Sequence, residues 1–112
     1  MATADRFSRR VLRLAYALSI PQRPTERSAV FYVYLLVSLS DPDQRYVGFT
    51  TDLKKRVKSH NDGASIHTRK YRPWKLVSYL AFDDERRARE FEYYLKSGSG
   101  RAFANKRLWP VA

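Results

Sequence analysis

The run Val30-Phe31-Tyr32-Val33-Tyr34-Leu35-Leu36-Val37 constrains this chain more than any other stretch. β-branched, aromatic and aliphatic residues in unbroken succession have the length of a strand and are too few for a core helix. Asp41-Pro42-Asp43 follows as turn chemistry, because Asp side chains bond the nearby backbone and Pro presets φ. Arg45 to Phe49 then reads as a second strand, and a loop of about five residues between the two predicts an antiparallel hairpin. Alternation puts Tyr32 and Tyr34 on one face. If the hairpin closes around Asp41, the even-numbered residues of both strands share that face, and Tyr46 stands opposite or diagonal to Tyr34. A slip of one residue would exchange the faces, so this expectation rests on register.

The remaining elements follow from caps and breakers. Asp52 to His60 predicts a helix opened by Thr51 or Asp52, with Leu53 and Val57 facing inward and Asn61-Asp62-Gly63 ending it. Residues 64 to 73 form a polar, basic loop. Trp74 to Phe82 is a third strand, and Asp83-Asp84 cap a helix running to about Lys96, where acids suit the positive end. Gly98 and Gly100 should break that helix, leaving a last short one over Arg101 to Leu108. The order ββα, loop, βα(α) predicts an α/β fold, a small sandwich in which helices flank a three-stranded antiparallel sheet.

The 112 residues suffice for one compact domain, with 44% hydrophobic content for its core. Residues 1–28 differ in character: they hold six Arg, no Lys, and only Asp5 and Glu26 as acids. Phe7, Val11, Leu14, Ala15 and Leu18 recur there at helical spacing, predicting a basic tail or amphipathic helix ahead of a domain at 29–112. Ser8-Arg9-Arg10-Val11-Leu12 faintly resembles a twin-arginine export signal, but Arg13 interrupts the apolar region, and a cytoplasmic location is expected.

Lys and Arg number 22 against 11 acids, a net charge of +11. Such an excess points to a polyanionic partner, since neutralising phosphates releases condensed counterions. Nucleic acid, DNA in the first place, is therefore the expected partner. No apolar stretch approaches the roughly 18 residues of a membrane span, so no stable membrane association is expected. With no cysteine in the chain, thiolate zinc sites and cysteine nucleophiles are excluded, and two histidines cannot hold zinc by themselves.

Three polar residues sit where apolar ones belong. Ala88, Phe91, Glu92 and Leu95 follow the i, i+3, i+4, i+7 rule of a buried stripe, where a carboxylate is costly unless it meets a cation, a metal or several donors. Leu53, Arg56, Val57 and His60 obey the same rule, which sets Arg56 and His60 at a buried seam and Lys54, Lys55 and Lys58 in solvent. An arginine at such a seam suits bidentate contact with phosphate.

Tyr34, then eleven residues, then Tyr46-Val47-Gly48, then Arg56 and His60 on the first helix and Glu92 on a later one: this order resembles the GIY-YIG nuclease superfamily. Tyr46 to Thr50 running into Leu53-Lys54-Lys55-Arg56, and Phe91 to Gly98, are similar to its small single-domain bacterial members and to the N-terminal nuclease domain of the bacterial ABC excinuclease. The likeness covers about residues 30 to 108; Tyr32 stands where the family name has glycine, and Asn105 is a loose counterpart of a family asparagine.

The resemblance implies a metal-dependent endonuclease acting on DNA in repair or processing. Glu92 would be the protein ligand of one Mg²⁺ or Mn²⁺, whose waters and phosphate oxygens complete the shell. Tyr34 is the favoured base toward water and Tyr46 the other candidate, with Arg56 and the metal expected to favour the phenolate. Arg56 would neutralise charge at phosphorus, and His60 would relay a proton or hold phosphate. Gly48 would let the substrate backbone approach closely, unless it only serves a bend. Lys55 and the loop residues Arg69, Lys70, Tyr71 and Arg72 would bind nucleic acid, with bases stacking on Tyr71. The alternative is a non-catalytic nucleic-acid-binding module of the same fold.

Overall fold

The computed structural model describes residues 29–110. The expected tail or helix at 1–28 lies outside the described residues. The elements are strands β1 (Phe31–Ser38), β2 (Arg45–Thr50) and β3 (Trp74–Phe82) and helices α1 (Leu53–Asn61), α2 (Glu85–Leu95) and α3 (Gly98–Arg107). All strand pairs are antiparallel, and the order β2-β1-β3 makes β1 the central strand.

Register decides which side chains meet. Tyr34 pairs with Gly48 and Leu36 with Tyr46, so even residues of β1 and β2 share a face and Tyr46 is diagonal to Tyr34. On the other side of β1, Leu35 pairs with Ser78 but Leu36 pairs with Leu76. Val77 is thus the extra residue of a bulge, which reverses the parity of β3 at that point. The reversal puts Trp74 and Leu76 on the same face as Tyr34, together with Tyr79 and Ala81 from beyond the bulge.

Each face has its own core. On the odd face, Val33 and Leu35 pack with Ala88 and Leu95 of α2 and Ala104 of α3. On the even face, Tyr34, Leu36 and Trp74 pack with Leu53 and Val57 of α1. Leu35 and Leu36 point oppositely and are both fully buried, each worth about 1.5–3 kcal/mol of transfer free energy. The three layers are therefore α1, sheet, and α2 with α3.

Caps explain the helix limits. Asp52 accepts from the Lys55 backbone N–H and Asp84 from that of Arg86. Gly63, at φ 82°, takes the left-handed position that closes α1. The expectation that Gly98 and Gly100 are breakers and that the last helix begins at Arg101 is corrected: α2 ends at Leu95, and both glycines lie in the first turn of α3, which Ser97 caps by accepting from the Gly100 N–H. A Cβ on Gly100 would collide with the Tyr94 carbonyl, so glycine there lets α3 abut the end of α2.

Candidate active site

Tyr34 projects from the central strand onto the even face, directly across from Gly48. A Cβ built on Gly48 would overlap the Tyr34 ring and hydroxyl. The close approach that Gly48 permits is therefore that of the Tyr34 phenol, which corrects the expectation that a substrate backbone comes close there. Tyr34 is wholly buried.

Arg56 and His60, one helical turn apart on α1, both reach this hydroxyl. Arg56 Nε donates to Tyr34 Oη at 3.3 Å, and Tyr34 Oη lies 2.8 Å from His60 Nε2. His60 is itself fully buried, and its Nδ1 lies 2.7 Å from Thr68 Oγ1. Thr68 is held in turn by Trp74, whose indole Nε1–H donates to its carbonyl at 2.8 Å. The result is a continuous path, Arg56 to Tyr34 to His60 to Thr68, closed over by Trp74.

Charge assigns the protons along it. Burial pushes the Tyr34 phenol up to about 12, with the neighbouring Tyr46 and Glu92 adding to the rise. The Arg56 hydrogen bond and charge pull the other way, as expected of Arg56, but by themselves do not outweigh burial. Burial, then the Arg56 charge, holds His60 below the usual imidazole range. Arg56 is held more firmly protonated, first through its bond to Tyr34. With the phenol and the imidazole both neutral, a Tyr34 O–H that donates to Nε2 leaves the His60 Nδ1–H to donate to Thr68 Oγ1.

Tyr46 keeps part of its surface in solvent. Its ring meets His60 edge-on at 5.0 Å and lies 6.2 Å from that of Tyr34, and Arg56 interacts with it as well as with Tyr34. Glu92, on α2, is 21% exposed and bonded to Lys96 Nζ at 3.4 Å; its charge reaches Tyr34. Among the described residues there is no cluster of three or more His, Cys, Asp or Glu that could hold a metal. A lone carboxylate with a weak lysine partner suits Mg²⁺ or Mn²⁺, which take one or two carboxylates and fill the shell with water and phosphate oxygens. It does not suit a structural zinc site.

Tyr34, Tyr46, Arg56 and His60 thus come together. Lys55, Arg69, Lys70 and Arg72 do not join them and lie exposed. Tyr71 belongs to the core under α1: it is half-buried against Tyr34, Leu36 and Trp74, and Lys70 Nζ sits 5.6 Å from its ring centre. Stacking of bases on Tyr71 is limited accordingly. The polar loop also contains a short turn of helix, Arg69–Tyr71. Thr68, the residue that orients His60, was not among the sequence candidates; the one available signal was a Thr eight residues after that histidine in a loop with few apolar residues.

The GIY-YIG catalytic domain family matches residues 30–107. The chain is 41% identical over 66 residues to a UPF0213 protein of Clostridium perfringens, spanning 58% of this chain and 69% of that one. It is 46% identical over 52 residues to the UPF0213 protein YazA of Bacillus subtilis, spanning 46% and 52%. A match at 35% identity over 79 residues joins 67% of this chain to 17% of the structure-specific endonuclease subunit SLX1 of Malassezia globosa. Among solved structures, a UPF0213 protein from Bacillus halodurans matches at 30% identity with a TM-score of 0.45, covering 72% of this chain and 88% of that one.

Proposed function

This chain belongs to the GIY-YIG family of nuclease domains, and on that footing we propose that it is a divalent-metal-dependent endonuclease that hydrolyses phosphodiester bonds in DNA, in repair or processing. One observation carries the reading: Arg56 and His60 converge on the Tyr34 hydroxyl beside a partly exposed Tyr46. A packing role alone gives no reason to bring an arginine, a histidine and two phenols to one point in a small core.

Glu92 is the residue that would hold Mg²⁺ or Mn²⁺, which when bound would supply Lewis acidity toward phosphate. Arg56 meets the charge growing on the phosphorus oxygens. Because burial keeps Tyr34 neutral, the Arg56 charge is not spent on a Tyr34 phenolate and stays available to Tyr46 and to substrate.

Tyr46 is then the base. As phenolate it takes a proton from water; the water oxygen bonds to phosphorus, the P–O3′ bond breaks, and solvent protonates the leaving oxygen. Tyr34 and His60 position Arg56 and the Tyr46 ring. Tyr34 remains the second candidate base, since His60 Nε2 stands ready to receive its proton, but its sealed position requires the site to open first.

The test is cleavage of supercoiled plasmid and of labelled single-stranded and branched DNA with Mg²⁺, Mn²⁺ or EDTA, with Glu92→Ala alongside. Cutting that requires the metal and disappears in Glu92→Ala, while binding persists, is the expected result. Binding without cutting by either protein on every substrate would reduce the chain to a nucleic-acid-binding module. Tyr46→Phe should lose cutting with binding intact; equal cutting by Tyr46→Phe and wild type returns the base to Tyr34.

A further inference from the structure

A cavity of about 400 Å³ opens between β2, the end of α2 and α3. Its polar lining is Arg45, Lys96, Arg101 and Asn105, and Trp109 forms an aromatic wall. No acidic side chain lines it, and Arg101 has no ion pair among the described residues.

The lining is organised rather than loose. Arg45 Nη1 donates to Asn105 Oδ1 at 3.0 Å, and its guanidinium sits 4.8 Å from the Trp109 ring centre. Two independent contacts therefore hold a flat cation on a flat aromatic ring, a surface on which a nucleobase can stack. Lys96 and Arg101 supply positive charge in the same cavity, with no carboxylate there to meet it. The cavity also adjoins the reaction site, since Tyr46 lines it and Lys96 bonds Glu92.

Size and shape narrow the ligand. A volume of this order suits one nucleotide, and a base inside a duplex cannot enter a cavity without leaving the stack. We propose that this cavity holds one unpaired nucleotide of the substrate strand, its base against the Arg45–Trp109 pair and its phosphate on Lys96 and Arg101. The assignment rests on the nuclease reading for its biological meaning and gives that reading a substrate class: strands unpaired next to the cut, in preference to continuous duplex.

The test uses the full chain in EDTA, so that no cutting can occur. Labelled oligothymidylate and a fully paired hairpin are titrated and followed by fluorescence anisotropy. Wild type should bind the single strand more tightly than the hairpin. Arg101→Ala should weaken single-strand binding about tenfold and reduce the salt slope by roughly 0.7, the amount for one phosphate contact. Lys106→Ala removes the same charge from the same helix outside the cavity and should change the affinity by less than about twofold. Trp109→Leu should weaken binding about tenfold and Trp109→Phe, which keeps an aromatic face, should recover most of it.

Equal single-strand affinity in wild type, Arg101→Ala and Trp109→Leu overturns the proposal, as does equal wild-type affinity for strand and hairpin. The two readings fail separately. A protein that binds in this way yet never cuts with metal refutes the nuclease and keeps the cavity. One that cuts, but whose binding ignores Arg101 and Trp109, does the reverse.

Discussion

Replacing Tyr34 by Phe tests which force governs the centre of the site. The ring stays packed over Gly48 and against Leu36 and Trp74, and only the hydroxyl shared by His60 and Arg56 is lost. His60 is fully buried, so its Nε2 is left without a donor, a loss of about 1–3 kcal/mol. Arg56 is half-buried and can turn to Tyr46 or to water. A destabilisation of about 2 kcal/mol near pH 8 follows. In the wild type the phenol is pushed up to about 12, against about 10 in the unfolded chain. Between those values the unfolded chain has released this proton and the folded one has not, so wild-type stability falls as pH rises through that window. The loss reaches about 1.4 kcal/mol by pH 11. The Tyr34→Phe variant has no such proton, and the other titrating groups are common to both proteins. The stability gap should therefore shrink from about 2 to under about 1 kcal/mol between pH 8 and pH 11. Guanidinium denaturation of both proteins, followed by tryptophan fluorescence, measures it. A gap that widens with pH would mean that Arg56 outweighs burial and favours the phenolate, and the reasoning would be refuted.

Gly48→Ala forces a Cβ into the Tyr34 phenol and should cost about 1–3 kcal/mol, read as a lower melting temperature; unchanged melting contradicts the close approach. His60, held below the usual imidazole range, contributes stability that is whole above about pH 6.5 and is lost as pH falls from there toward its folded value. Wild type should thus lose more stability than His60→Gln between about pH 7 and pH 5, and parallel curves would rule out a neutral buried imidazole. Thr68→Val keeps the shape but leaves His60 Nδ1–H without its acceptor, at about 1–2 kcal/mol, and should slow cutting while nucleic-acid affinity holds; an unchanged rate would remove Thr68 from the site.

Much of this was legible because short-range chemistry and tertiary structure agree. The span of β3 and the N-caps Asp52 and Asp84 appear where turn, cap and strand chemistry place them. Hairpin register followed from alternation, and with it the shared face of Tyr34, Gly48 and Tyr46. The seam assigned to Arg56 and His60 holds, although His60 is far more deeply buried than a helix-terminal histidine usually is. What was not legible depends on contacts distant in sequence. The bulge at Val77 has no local mark, yet it decides that Trp74 faces Thr68. Glycines at 98 and 100 read as breakers because their neighbour across the gap, the end of α2, is invisible in a one-dimensional pattern. The weight of burial on Tyr34 was not legible for the same reason: a nearby arginine can be counted from the sequence, whereas desolvation cannot.

Strand order explains the difference between the two tyrosines, which the hairpin alone leaves equivalent. Both lie on the even face, and both interact with Arg56. Tyr34, however, stands on the central strand, flanked on one side by β2 and on the other by β3, with α1 above it. Every direction of approach is filled, and burial sets its charge. Tyr46 stands on β2, which has no strand on its outer side among the described residues, so one flank of its ring remains open. That same outer side is where the cavity with Arg45, Lys96 and Arg101 begins. Unpaired edges are normally guarded by charge against adding another strand. On the nuclease reading proposed above, a substrate strand arriving along β2 would meet these cations and Tyr46 without disturbing the sealed Tyr34–His60 pair.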